Sequence, residues 1–256
     1  MQDPFSLAGK RGLILGLANE HSIAWGCAKV AHARGARLAL SCLNPKVAGL
    51  LAPLAASCQA PLLACNVEQE DELQACIEQA AAHLGQFDFI IHSIAWAPLP
   101  DLHGRVLDCS RSGFARAMQI SCQSFAETVR RAEPWLAPQA SVLTMSYIGA
   151  QEATPHYGMM GPVKAALESL VRYMALELGP KGVRVHAISP GPIPTRAASG
   201  LEDFDGLMQH AITHAPLRRL ATLDEIGNLA AFLVSDAASG MSGQTLFVDA
   251  GFHAVQ

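Results

Sequence analysis

The sequence predicts an α/β fold, a single doubly wound parallel sheet with helices on both faces, in one domain over residues 1–256. Three observations predict it. Short runs along the chain are apolar at consecutive rather than alternate positions, as strands buried on both faces are. Between them lie longer stretches whose apolar residues recur every three or four positions, the spacing of helices with one buried side. The 256 residues, 50% apolar and 16% charged, suffice for one such sheet, and no repeat or Pro-, Gly- or Ser-rich stretch divides them. Right-handed crossovers then cover both faces and leave ligands to the carboxyl ends of the strands.

In order, Leu13-Ile14-Leu15 before Gly16 reads as the first strand, Ile23 to Arg34 as a helix and Arg37 to Cys42 as the second strand. Periodicity leaves Leu51 to Leu62 open, and Leu62 to Cys65 is extended. From Glu68 to Leu84, an acidic first turn precedes Leu73, Ile77, Ala80 and Leu84 at helical spacing. Phe87 to His92 is a strand, Phe114 to Trp135 a long helical stretch, and Ser141 to Ser146 the fifth strand. Val163 to Leu178 places Leu167, Leu170, Met174 and Leu178 on one side of a helix. Val183 to Ile188 and Leu246 to Val248 complete the strands.

Composition excludes several functions. The formal net charge is −4, and the basic pairs Arg130-Arg131 and Arg218-Arg219 make no stripe, so no nucleic-acid partner is expected. Seven cysteines, with no CxxC, read as reduced thiols packed like small apolar groups. The ten histidines form no HExxH or similar cluster, and no metal site is expected. The first residues lack the charged start and apolar run of a signal peptide, and no stretch reaches the about 18 apolar residues of a membrane span. The expectation is a soluble, cytoplasmic protein with no membrane partner.

Two ends of a site can be read from the residues. After the first strand, Gly16 allows a tight turn, and the helix beginning at Ile23 points free N–H groups at any phosphate there. Ser22 could cap that helix or donate to the phosphate. An ordinary capped strand–turn–helix explains the stretch equally well, since it is not GxGxxG. Dinucleotide sites usually carry an acid at the end of the second strand, but here Ser41-Cys42-Leu43-Asn44-Pro45-Lys46 has none. Lys46 could favour a 2′-phosphate, so these residues leave the cofactor open.

At the other end, Tyr157 and Lys164 are seven residues apart. On one helix that spacing is almost two turns, about 10 Å along one face. A phenol that donates to a developing oxyanion gains from a nearby ammonium that lowers its pKa. Pro162 between them is tolerable in a first turn but would kink a helix already under way. Tyr147, ending the fifth strand, sits at the same rim or is structural. After the sixth strand, Ser189 to Thr195 contains three prolines, and the Ile193 backbone and Thr195 hydroxyl could bond a carboxamide. A rigid turn before a mobile loop is the plainer reading.

Taken together, Gly16 with Ser22-Ile23-Ala24-Trp25-Gly26, His92-Ser93-Ile94-Ala95 and Ser146-Tyr147-Ile148-Gly149-Ala150 resemble the enoyl-acyl carrier protein reductases. These are divergent short-chain dehydrogenases of Rossmann type. Tyr157-x6-Lys164 is their spacing, and Pro190-Gly191-Pro192-Ile193, Thr195, Ala198-Ser199-Gly200, Asp203-Phe204 and Val248-Asp249 continue the match nearly end to end. The resemblance implies reduction of a trans-2-enoyl thioester with a nicotinamide cofactor, NADH ahead of NADPH. It places Gly16, Ser22 and Ile23 at the pyrophosphate, Leu43 at the adenosine ribose, and Asn66 and Val67 at the adenine. Ser93, Ile94 and Ala95 would line the cofactor cleft, Lys164 would bind the nicotinamide ribose, and Ile193 and Thr195 would meet the carboxamide. Tyr157, Lys164 and Tyr147 would be catalytic. The acyl group would lie against Ala97, Tyr147, Tyr157, Met160, Ala197 and Phe204, beside a substrate loop at about 194–215. A homotetramer is also implied.

Two departures qualify the resemblance. Leu43 stands where NADH users of the family commonly have a glutamine, and an apolar side chain cannot donate to a ribose hydroxyl. The loop Gly200 to Gly206 carries Glu202, Asp203 and Asp205 and no base, whereas the family's loop usually suits an acidic acyl carrier protein. The carrier is therefore expected to differ from the ordinary acidic one. Coenzyme A, rich in phosphate, would fit no better. Two other readings stay open: the same Tyr and Lys acting on a carbonyl or another activated alkene, and a dinucleotide-binding protein without turnover.

Overall fold

The computed structural model describes residues 3–195 and 198–255. In chain order the elements begin with β1 (Arg11–Leu15), α1 (Ile23–Ala33), β2 (Arg37–Cys42), α2 (Pro45–Ser57), β3 (Leu62–Ala64), α3 (Glu70–Leu84) and β4 (Phe87–His92). Next come α4 (Leu99–Leu102), α5 (Arg111–Met118), α6 (Ser124–Ala132), β5 (Leu136–Met145), α7 (Met160–Leu178) and β6 (Arg184–Pro190). The last are α8 (Phe204–His214), α9 (Leu223–Val234) and β7 (Thr245–Val248). The strands form one seven-stranded sheet in the order β3-β2-β1-β4-β5-β6-β7, and every pairing is parallel. The order reverses between β1 and β4, and a crevice opens there at the carboxyl ends.

Each face of the sheet has its own apolar layer. On one, Leu73 and Ile77 of α3, Phe125 of α6 and Val163 and Leu167 of α7 pack against Leu13, Ile90 and Val142. On the other, Ala24 and Ala28 of α1, Leu51 of α2 and Ile226 and Ala230 of α9 pack against Ile14, Leu40, Phe89 and Leu143. Phe87, Phe89 and Phe125 are fully buried, and each such side chain contributes about 1.5–3 kcal/mol. α1 and α9 cross closely because both contacts are glycines: a Cβ on Gly227 would approach the Gly26 carbonyl oxygen to 2.6 Å.

Local chemistry explains the helix limits. Ser22, Asn44 and Ser110 accept first-turn N–H groups of α1, α2 and α5. Glu70, Asp71 and Glu72 supply the acidic first turn of α3. Thr222 and Glu225 form a reciprocal capping box at α9.

The structure settles or corrects several expectations. Leu51 to Leu62, left open by periodicity, belongs mostly to α2, whose internal Pro53 blurs the helical signal. The stretch Phe114 to Trp135 is helical throughout, as expected, but not uniformly α: a π turn at Gln119–Gln123 joins α5 to α6, and a 3₁₀ turn follows at Glu133–Trp135. β5 begins at Leu136, five residues before the expected strand. The segment read as a mobile loop carries α8 over Phe204–His214, and α9 was not expected. Among the described residues, no helix is long and apolar enough to cross a membrane.

Candidate active site

The crevice between β1 and β4 opens into a cavity of about 640 Å³. Its phosphate end is built by the turn after β1. Gly16 has φ +99°, and a Cβ there would collide with the Ser93 carbonyl. Glycine thus permits both the left-handed turn and the contact between the two strand ends. Ser22 caps α1: its Oγ accepts from Trp25 N at 3.3 Å and donates to the Asn19 carbonyl at 2.7 Å. Ile23 begins the helix, and both Ser22 and Ile23 line the cavity.

The far end of the same wall comes from β2 and β3. Leu43 follows β2, lines the cavity and is 57% exposed. Asn66 Oδ1 accepts from Glu68 N at 3.1 Å, and Asn66 N donates to Glu72 Oε2 at 2.9 Å. Val67 lies beside them, and Ser93, Ile94 and Ala95 line the middle of the cleft after β4.

The chemical end is buried. Tyr147 follows β5 and Tyr157 precedes α7, and their ring centroids are 4.6 Å apart at 48°. Tyr147 Oη is buried with no hydrogen-bond partner among the described residues. Lys164, on α7, is 4% exposed, and its Nζ donates to the Met145 carbonyl at 2.7 Å. Burial pulls its pKa down from 10.5 to about 8, against the opposing influence of Cys122 and Glu168. Behind it His92, fully buried and facing the Lys164 charge, is pushed down to about 3 and stays neutral.

Two expectations about this end are corrected. Tyr157 and Lys164 do not share a helical face, because α7 begins only at Met160, with Gly158 at φ +54° between. Pro162 accordingly falls in the first turn, where it is tolerated. Nor does the ammonium lower the phenol's pKa. Burial first, then Tyr147 and the Glu168 charge, raise that of Tyr157, and burial and Asp249 raise that of Tyr147. Both phenols therefore stay protonated as donors.

Ile193 and Thr195 lie in the turn after β6. Ala198 N donates to Thr195 Oγ1 at 3.2 Å, which leaves the hydroxyl proton to point elsewhere. Ala97, Met160 and Phe204 line the same cavity. Every site residue read from the sequence does so except Ala197, which lies outside the described residues. Sequence reasoning missed others on that wall. Trp96 carries the Arg116 guanidinium 4.2 Å over its ring, and Arg116 pairs with Glu68 at 2.6 and 2.8 Å. No short motif marks them, since α5 only brings Arg116 back to the cleft. Among the described residues, no group of three or more His, Cys, Asp or Glu could hold a metal ion.

Two of the three acids beyond Ser199 have local partners. Asp203 has φ +50° and caps α8, accepting from Gly206 N at 3.2 Å, and Glu202 lies 3.7 Å from His156 Nδ1. Asp205 is in the first turn of α8.

A dinucleotide fits this cavity. The bare turn at Gly16 and the helix N-terminus suit a pyrophosphate, and the cleft continues on one side to Asn66 and on the other to Lys164 and Thr195.

Comparison with known proteins agrees with this geometry. A family model described as enoyl-(acyl carrier protein) reductase matches residues 16–253. The chain is 43% identical over 248 residues to enoyl-acyl-carrier-protein reductase (NADH) 1 of Rhizobium meliloti, covering 96% of this chain and 91% of that one. It is 42% identical over 248 residues to the enoyl-acyl-carrier-protein reductase (NADH) of Escherichia coli K12, covering 96% and 95%. A solved enoyl-acyl-carrier-protein reductase from Anaplasma phagocytophilum, in complex with NAD, matches with a TM-score of 0.93 at 40% identity, over 97% of this chain and 95% of that one. On the family model, the identity and the shared backbone, the chain belongs to the enoyl-(acyl carrier protein) reductase family.

Proposed function

We propose that the protein is an NADH-dependent oxidoreductase that reduces the carbon–carbon double bond of a trans-2-enoyl thioester in acyl-chain synthesis. The observation that carries this reading is the pair of buried, packed phenols that line one cleft together with Lys164 and the Gly16 turn. Gly16, Ser22 and Ile23 would hold the pyrophosphate, Leu43 would lie at the adenosine ribose, and Asn66 and Val67 would meet the adenine. Ser93, Ile94 and Ala95 would flank the cofactor, Lys164 would bind the nicotinamide ribose hydroxyls, and Ile193 and Thr195 would hold the carboxamide. The reduced nicotinamide, when bound, supplies a hydride to the β-carbon.

The chain's own residues handle the negative charge that this transfer creates. As the β-carbon takes the hydride, the electron pair of the double bond moves toward the thioester oxygen, giving an enolate. Tyr157 donates a hydrogen bond to that oxygen. Such a donor, already in place and shielded from water, lowers the barrier where the charge develops. Its raised pKa suits donation without loss of the proton. Tyr147, with its unpartnered hydroxyl, flanks the thioester and assists protonation at the α-carbon. Ala97, Met160 and Phe204, with Ala197, form the acyl wall, and the segment 194–215 covers it.

The carrier is the finer part of the proposal. With Glu202 and Asp205 facing outward and no base among them, a carrier less acidic than the ordinary acyl carrier protein is favoured. A homotetramer is the assembly the family resemblance implies, and Tyr173 and Leu176, 64% and 74% exposed on α7, are apolar side chains an interface could cover. Seven unpaired thiols suit a reducing, cytoplasmic setting.

The test is the loss of NADH absorbance with one trans-2-enoyl group presented on acyl carrier protein and on coenzyme A, and Tyr157→Phe as control. Turnover that the control loses supports the reading; silence on both carriers with NADH bound overturns it.

A further inference from the structure

Glu168 lies one turn beyond Lys164 on α7 and is only 5% exposed. A carboxylate withdrawn this far from water is costly unless its oxygens are bonded and its charge is answered. Both conditions are met by groups of the active site. One oxygen accepts from Ser146 Oγ at 2.6 Å, the other from Gln151 Nε2 at 3.0 Å. Ser146 and Gln151 bracket Tyr147 and the single turn Ile148–Ala150. At the centre of that turn, Gly149 lies so close to both phenol rings that a Cβ would run into Tyr157 and come within 3.3 Å of Tyr147 Cδ1. One carboxylate thus holds both ends of a segment whose middle presses on the two tyrosines.

We propose that Glu168 is a positioning residue for the reduction, its two oxygens fixing Ser146 and Gln151 so that the turn between them keeps the Tyr147 and Tyr157 rings in register. The role rests on the enoyl-reductase reading for the reaction it serves. A neutral amide of the same shape could keep some of these bonds, so the charge must have a separate consequence. The charge acts on Lys164 on α7 and on Tyr157 from the loop before it, and Lys164 in turn faces Cys122 from the π turn and neutral His92 from β4. Tyr147 faces Asp249 as well. In this setting the Glu168 charge favours the ammonium of Lys164 and disfavours a phenolate at Tyr157. Removing it should let Lys164 lose its proton at lower pH.

Two variants separate the bonds from the charge. Glu168→Gln keeps the shape and removes the charge; Ser146→Ala removes one bond and keeps the charge. Each is read by kcat and KM on a trans-2-enoyl thioester, and by the pH dependence of kcat. The pH dependence of NAD⁺ affinity is also followed by tryptophan fluorescence without enoyl substrate, since Trp96 lines the cavity. Both variants should lower kcat by about tenfold with little change in KM for NADH. Only Glu168→Gln should move the alkaline break, by about one pH unit downward, in kcat and in NAD⁺ affinity. Wild-type kcat in both variants overturns the proposal. So does a loss of kcat that tracks loss of melting temperature while the break stays put, which would make Glu168 merely structural. Should Glu168→Gln not fold, the Ser146→Ala, Gln151→Ala double variant carries the test through kcat. If the wild type turns over no enoyl thioester, the reaction assignment fails, yet the NAD⁺ titration still reads whether Glu168 acts on Lys164.

Discussion

The two ends of the cleft are built on different physics. At the end proposed for the adenosine, Leu43 is more than half exposed, and Asn66 Oδ1 and backbone N are bonded locally by Glu68 N and the Glu72 carboxylate. At the chemical end, Tyr147, Tyr157, Lys164 and Glu168 are each less than 10% exposed, and burial shifts the two phenols and the lysine from their ordinary pKa values. The first end binds in water, where a single hydrogen bond contributes little. The second works out of water, where each charge and donor counts for more and unpaired groups are costly. Substitutions should therefore have large, pH-dependent effects at one end and small, pH-independent effects at the other.

The largest expected effect is that of Tyr157→Phe, which removes the proposed donor to the enolate oxygen and little volume. Steady-state assays should show kcat lower by about 100- to 1,000-fold, with NADH affinity nearly unchanged. A loss under threefold would mean that the chemical end does not depend on this hydroxyl.

Lys164→Met should abolish turnover and yet stabilise the fold. The unfolded chain keeps the lysine proton up to about pH 10.5, whereas the folded chain releases it near 8, so unfolding takes up a proton between those values. Wild-type stability therefore rises with pH across that window, and below it the buried charge is a burden. Denaturant unfolding should find Lys164→Met more stable by about 1–3 kcal/mol at pH 7, the gain shrinking from pH 8 to 10.5. The lost hydrogen bond to Met145 offsets part of that gain. A pH-independent difference would contradict the assigned burial effect.

Smaller effects belong to the other end. Leu43→Gln would supply a donor at the proposed adenosine ribose site and should tighten NADH binding by about three- to tenfold, with kcat unchanged. Weaker binding in a fluorescence titration would show that Leu43 packs productively. The smallest effect is that of Glu202→Lys with Asp205→Lys, sparing Asp203 because it caps α8. It should lower KM for substrate on an acidic carrier about two- to fivefold, and the gain should fade with salt. An unchanged KM would remove the charge argument about the carrier.

The same contrast separates what was legible in the sequence from what was not. The sheet was readable because its strands are apolar at consecutive positions, and Arg37–Cys42 and Phe87–His92 coincide with β2 and β4. The Gly16 turn, the Ser22 cap, Tyr147 after β5 and Tyr157 before α7 lie in short local patterns at element ends, so they could be named without coordinates. Glu168 could not, because on α7 it looks like any helical glutamate until Ser146 and Gln151 are brought to it from another element. Arg116 is hidden in the same way, because Trp96 and Glu68 reach it from other segments of the chain. The phenol pKa values were read with the wrong sign because Lys164 turns its ammonium to the Met145 carbonyl, and burial of the rings outweighs it. α9 did carry a local signal, Thr222 followed by Glu225, which marks a capped helix start.

The central claim is that hydride reaches the β-carbon of an enoyl thioester, with Tyr157 holding the oxygen where charge collects. It is tested most directly by supplying NADH deuterated at the transferable position and locating the label in the product by NMR. The account predicts one deuterium at C3 of a saturated acyl thioester, and none when Tyr157→Phe replaces the wild type over the same time. Deuterium at the thioester carbon, with an aldehyde or alcohol as product, would contradict it and make the protein a carbonyl reductase.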